Sequence, residues 1–76
     1  MTLIEIKARI VKAYPDALVE VSDLTGTMDH IQVHVETSHF KGVSLLDRHR
    51  NIMGLFDSEL KSGELHALTI KAKVKE

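Results

Sequence analysis

The chain has 76 residues, is 43% hydrophobic, and carries ten basic against eleven acidic side chains for a net charge of −1. This size allows one core, and no apolar run approaches the roughly 18 residues of a membrane span, so one soluble, cytoplasmic domain over residues 1–76 is expected. The absence of cysteine excludes disulfides, thiol nucleophiles and metal sites built on the chain's own thiolates, and the balanced charge gives no global field for nonspecific nucleic-acid binding.

Thr2 followed by Glu5 is a capping-box pattern, with Met1 and Ile6 placed for a hydrophobic staple. The helix that follows directs Leu3, Ile6, Ile10 and Ala13 inward and Glu5, Lys7, Arg9 and Lys12 mostly outward. It ends before Pro15, which disfavours a helical Tyr14. "ALVEVS" then alternates as a short strand with Val19 and Val21 on one face. The turn "DLTGTMD" leads into "HIQVHVE", where Ile31, Val33 and Val35 point inward and His30, Gln32, His34 and Glu36 outward, predicting an antiparallel pair.

After the loop "TSHFKGV", Ser44 caps a helix whose expected buried stripe is Leu45, Leu46, His49, Ile52, Met53, Phe56 and Leu60. Arg48 and Arg50 should project to solvent, and Gly54 offers a kink or a break into two helices. Gly63 caps the end. In "LHALTIKAKVK", His66, Leu68, Ile70, Ala72 and Val74 share one face, and Ala67, Thr69, Lys71 and Lys73 the other. A right-handed crossover would lay this strand parallel to the second. The predicted fold is α+β in the order αββααβ, a three-stranded mixed sheet with helices on one face.

Five histidines invite a metal reading. His30 and His34 lie roughly 13 Å apart on a strand at about 3.3 Å per residue, too far to share an ion. His34 and His39 read as surface residues and His49 as a half-buried helix residue. His66 directly follows a glycine-containing turn, where a ring nitrogen can reach the sheet edge as a ligand or act as a structural cap. Neither a nucleophile motif, nor HExxH, nor a glycine-rich phosphate loop is present, so neither an enzyme nor a small-molecule substrate is expected.

Phe40, Gly42 and Ser44, followed by Arg48-His49-Arg50 and by His66-Ala67-Leu68, resemble the signature of the BolA family, small proteins with a class II KH-like fold. The resemblance implies a monothiol glutaredoxin partner and a bridging [2Fe–2S] cluster held by the glutaredoxin, its glutathione and a histidine matching His66, with no cofactor when the chain is alone. It also implies cluster trafficking or iron sensing, and some members are described as transcriptional regulators or stress factors. A neutral imidazole ligand would raise the cluster potential, as in Rieske centres. The family's second ligand usually sits in the loop between the first two strands. That loop here lacks Cys and His, which leaves His30 at its exit, Asp23, Asp29 or an exogenous ligand. The competing function is nucleic-acid binding through Arg48, Arg50 and Lys41, although the chain lacks the GxxG loop and an aromatic stacking platform. Gly42, Ser44 and His49 are assigned structural roles.

Overall fold

A computed structural model describes residues 1–76. Helix α1 spans Leu3–Ala13 and begins at the expected capping box: Thr2 Oγ1 accepts from the Glu5 amide at 3.1 Å, and Glu5 Oε1 accepts from the Thr2 amide at 2.9 Å. These bonds satisfy two of the amides a helix start leaves unpaired. Ile6 and Ile10 are fully buried, but Ala13 is exposed. Arg9, expected to face water, is half-buried. Its guanidinium lies 5.1 Å from the centre of the Phe56 ring and donates to Leu55 O at 2.9 Å and Glu59 Oε1 at 2.7 Å. This contact ties α1 to the later helices and lowers the Glu59 pKa through the hydrogen bonds from Arg9.

Strand β1 is Leu18–Asp23, β2 is His30–Thr37 and β3 is Ala67–Val74. The order is β1-β2-β3, with β1 antiparallel and β3 parallel to the central strand, so the sheet is mixed as the pattern predicts. Alternation places Ile31, Val33 and Val35 against the helices with no exposure, while Thr69, Lys71 and Lys73 face water. Phe40, in a short 3-10 turn at Ser38–Phe40, completes the core together with Ile52, Phe56, Leu65 and Leu68. Burying each such side chain contributes about 1.5–3 kcal/mol.

Helix α2 covers Leu45–Leu55 and α3 covers Asp57–Ser62. Ser44 is the N-cap of α2, accepting from the Asp47 amide at 3.1 Å, and Gly63 ends α3 in the left-handed region at φ 84°. The break falls at Phe56, two residues beyond Gly54.

The buried stripe of α2 corrects the expectation. Ile52 and Phe56 are fully buried, but Leu45 is 70% and Leu46 57% exposed, and His49 is exposed instead of buried. Leu45, His49, Ile52 and Phe56 follow one helical line, so the angular assignment holds. The first half of the helix overhangs the core, leaving nothing for that line to pack on. Arg48, expected at the surface, is half-buried: its Nε donates to Val43 O at 2.8 Å and its Nη1 approaches Ala72 O on β3 at 3.4 Å. Arg50 and Lys41 are exposed as expected.

Candidate functional site

The site is assembled at one end of the sheet by the parallel register of β2 and β3, which pairs His30 with Ala67. His66 therefore stands just ahead of β3, alongside the first residue of β2. The carbonyl of Asp29 accepts from both the His66 amide at 2.8 Å and the Ala67 amide at 3.1 Å, fixing the entry of β3 against the exit of the β1–β2 turn. The two imidazoles stack, with ring centres 6.1 Å apart and planes inclined by 12°. Residues far apart in sequence thus become neighbours on an open end of the sheet, with His66 exposed and His30 half-exposed.

Turn chemistry holds this arrangement. The Asp23 carboxylate accepts from the amides of Thr25 at 3.2 Å, Gly26 at 3.0 Å and Met28 at 3.0 Å. Gly26 and Met28 both take positive φ, the conformation such a turn requires. Asp23 is therefore engaged by backbone and is a poor ligand. The Asp29 carboxylate accepts from the Thr27 hydroxyl and, at 3.1 Å, from the Thr25 hydroxyl. Chiefly through the Thr27 bond, with smaller help from His30 and Thr25, its pKa falls from the usual 3.8 to about 2. His30 Nδ1 lies 3.4 Å from Asp29 Oδ1, an ion-pair distance without hydrogen-bond geometry, and this sheltered nitrogen has no hydrogen-bond partner.

Of the residues singled out in the sequence, His66, His30 and Asp29 come together. His34 faces outward opposite Glu20, His49 lies on the exposed part of α2, and Arg48 is held by backbone carbonyls. No group of three His, Asp or Glu side chains is arranged to hold an ion. Imidazole is a common ligand for iron, zinc and copper, and these two rings are the metal-binding side chains that the fold brings together here.

A second histidine site lies at the opposite end of the sheet, and the sequence reading missed it. Thr37, fully buried, donates to Asp16 Oδ1. Asp16 Oδ2 accepts from the Ser38 amide at 3.0 Å and the Ser38 hydroxyl at 2.6 Å, and Lys75 Nζ reaches Asp16 O at 2.9 Å. The hydrogen bonds from Ser38 and Thr37 hold the Asp16 pKa well below the usual carboxylate range. His39 Nδ1 lies 3.1 Å from Asp16 Oδ1 and 3.0 Å from Thr37 Oγ1, so acid and hydroxyl share one nitrogen. A proton relay needs them on opposite nitrogens. This is a clamp joining two turns, and its signal was the Asp in "YPDA" with the hydroxyl-rich "TSH", both turn-forming compositions.

The family model described as BolA-like protein matches residues 9–76. The solved BolA domain of SufE1 from Arabidopsis thaliana superposes with a TM-score of 0.84 at 35% identity, over 95% of this chain and 90% of that one. BolA1 from the same plant superposes with a TM-score of 0.86 at 26% identity, over 95% and 89%. Protein BOLA2 of Arabidopsis thaliana is 32% identical over 68 residues, covering 88% of this chain and 71% of that protein. An αββααβ domain built on a three-stranded mixed sheet is the class that the fold defines. The chain belongs to the BolA-like family. No helix is long and apolar enough to cross a membrane.

Proposed function

We propose that this protein is a non-enzymatic adaptor that pairs with a monothiol glutaredoxin and supplies His66, with His30 beside it, to a shared [2Fe–2S] cluster used in iron–sulfur trafficking or iron sensing. One observation carries the reading: in a cysteine-free member of the BolA-like family, two stacked imidazoles stand together at an open sheet end, His66 exposed and His30 half-exposed. Such a cluster carries one electron at a potential set by its ligands and their surroundings. The chain's own part is to present imidazole nitrogen. The Asp29 carbonyl fixes the backbone at His66, and the Asp29 carboxylate lies beside the His30 ring.

The test is to reconstitute the heterodimer with iron, sulfide and glutathione and to record visible absorption and the magnetic coupling of histidine nitrogen to iron. His66→Ala should fold, lose that coupling and hold cluster less tightly, while His34→Ala should change neither. An unaltered coupling in the His66→Ala complex would defeat the assignment. The nucleic-acid reading is weakened because Arg48, one of its three residues, is engaged by Val43 and Ala72 carbonyls. It would return if DNA binding fell steeply with added salt and with Arg50→Ala.

A further inference from the structure

Strand β1 is an edge strand, and its free side is unguarded. The Leu24 amide donates to His30 O at 2.9 Å, in register with the β1–β2 ladder. This fixes the phase of the antiparallel pair: the backbone groups of Leu18, Glu20 and Ser22 face β2, and those of Val19, Val21 and Asp23 face outward. The outward row carries no proline, lysine or bulge, and Asp23 at its end is its one charged residue. Beside it runs an open groove lined by Leu3, Ile4, Lys7 and Val21, among others. Three large apolar side chains border this strand in solvent: Ile4 is 81%, Leu18 58% and Leu24 54% exposed.

We propose that the β1 edge docks a second copy of this chain, antiparallel about a two-fold axis through Val21, joining two three-stranded sheets into one. Register and charge select this occupant. With the axis at Val21, Val19 faces Asp23 of the other copy and Val21 faces itself, all with outward backbone groups, so the ladder bonds can form. On the uncovered face Leu18 then meets Leu24 of the other copy and Glu20 meets Ser22, and no two carboxylates stand opposite one another. Shifting the axis one residue toward the N-terminus sets Glu20 against Glu20, and one residue toward the C-terminus sets Leu24 against Glu20. Shifting it two residues toward the C-terminus sets Asp23 against Asp23. One register thus pairs the exposed leucines on both sides of the axis and sets no like charges directly opposite, leaving only the diagonal Glu20 pair beside the axis. The contact is small, which places it among weak, concentration-dependent interfaces. Because β3 lies on the far edge, His66 stays open in both copies.

The test uses the lack of native cysteine. Leu18→Cys and Leu24→Cys are prepared separately and mixed under mild oxidation at millimolar protein. The proposed register brings these positions together as a pair without ladder bonds, at about 4.5 Å between Cα atoms and within disulfide reach, while each stands far from its own copy. A disulfide dimer should form in the mixture and not from either variant alone. Val21→Pro removes an outward-facing amide without touching the β1–β2 ladder, and in that background the mixed product should fall at least tenfold while circular dichroism confirms the fold. Native protein should sediment faster from micromolar to millimolar concentration, and the Val21→Pro variant should not. Equal cross-linking of each single variant with itself, cross-linking unaffected by Val21→Pro, or a native chain that stays monomeric at millimolar concentration would each overturn the proposal.

Discussion

The two ends of the sheet contain the same kinds of residue in opposite conditions. At one end His39, Asp16 and Thr37 form a cluster in which the carboxylate accepts from two hydroxyls and an amide, and the imidazole nitrogen Nδ1 sits between acid and alcohol. At the other, His30 and His66 stand beside Asp29, whose carboxylate is held by threonines, and His30 Nδ1 has no hydrogen-bond partner. An Asp next to a His is therefore no signature of function by itself. What separates a clamp from a ligand site is whether the polar atoms are already used within the fold.

The largest effect that sharpens this contrast belongs to Thr37. Thr37→Val keeps its volume in a fully buried position but removes the hydroxyl that meets Asp16 and His39, and should cost about 1–3 kcal/mol in a denaturant titration. A cost no greater than that of His66→Ala would erase the distinction between the two ends.

Acid titration separates the ends next. Both Asp16 and Asp29 have folded pKa values below the ordinary 3.8, so each stabilises the fold fully above that value and loses its contribution as the pH falls toward the folded one. Thermal melts between neutrality and strong acid should therefore drop below about pH 4. Asp16→Asn should flatten that limb more than Asp29→Asn, whose carboxyl is lowered only to about 2.

The same accounting of partners distinguishes two neighbouring arginines. Arg48→Ala, which frees the Val43 carbonyl, should cost about 0.5–1.5 kcal/mol, while Arg50→Ala should stay within about 0.5 kcal/mol. The smallest effect is expected at the candidate ligands. His66→Ala and His30→Ala should each leave the unfolding free energy within about 0.5 kcal/mol of the native chain, and a larger loss would recast the pair as structural.

Much of the fold was legible because its signals are local. Thr2 and Glu5 announce α1, the alternation of Ile31, Val33 and Val35 announces β2, Ser44 and Gly63 bracket the α2–α3 segment, and handedness places β3 parallel to β2. Periodicity gives the direction in which a side chain points, however, and not whether anything lies there. Leu45 and His49 point along the line of Ile52 and Phe56 and meet solvent, because only 12 of 76 residues are buried and the core ends before the first turns of α2. Arg9 and Arg48 failed the opposite way, since a long stem can cover apolar surface while its head finds carbonyls that no pattern reveals. His66 could be singled out from its turn and its resemblance to a family signature. Its stacking on His30 depends on the β2–β3 register, and the Asp16 clamp depends on turns that are distant in sequence.

The crossover that sets His30 beside His66 also ties recognition to folding. Neither half of the pair exists as a site until α2 and α3 have carried the chain back to the sheet, and closures of this length slow folding more than local contacts do. An unfolded or half-folded chain therefore does not present the two imidazoles together. A ligand that bridges the two residues selects the native state and stabilises it by mass action, in proportion to the logarithm of its concentration over its dissociation constant.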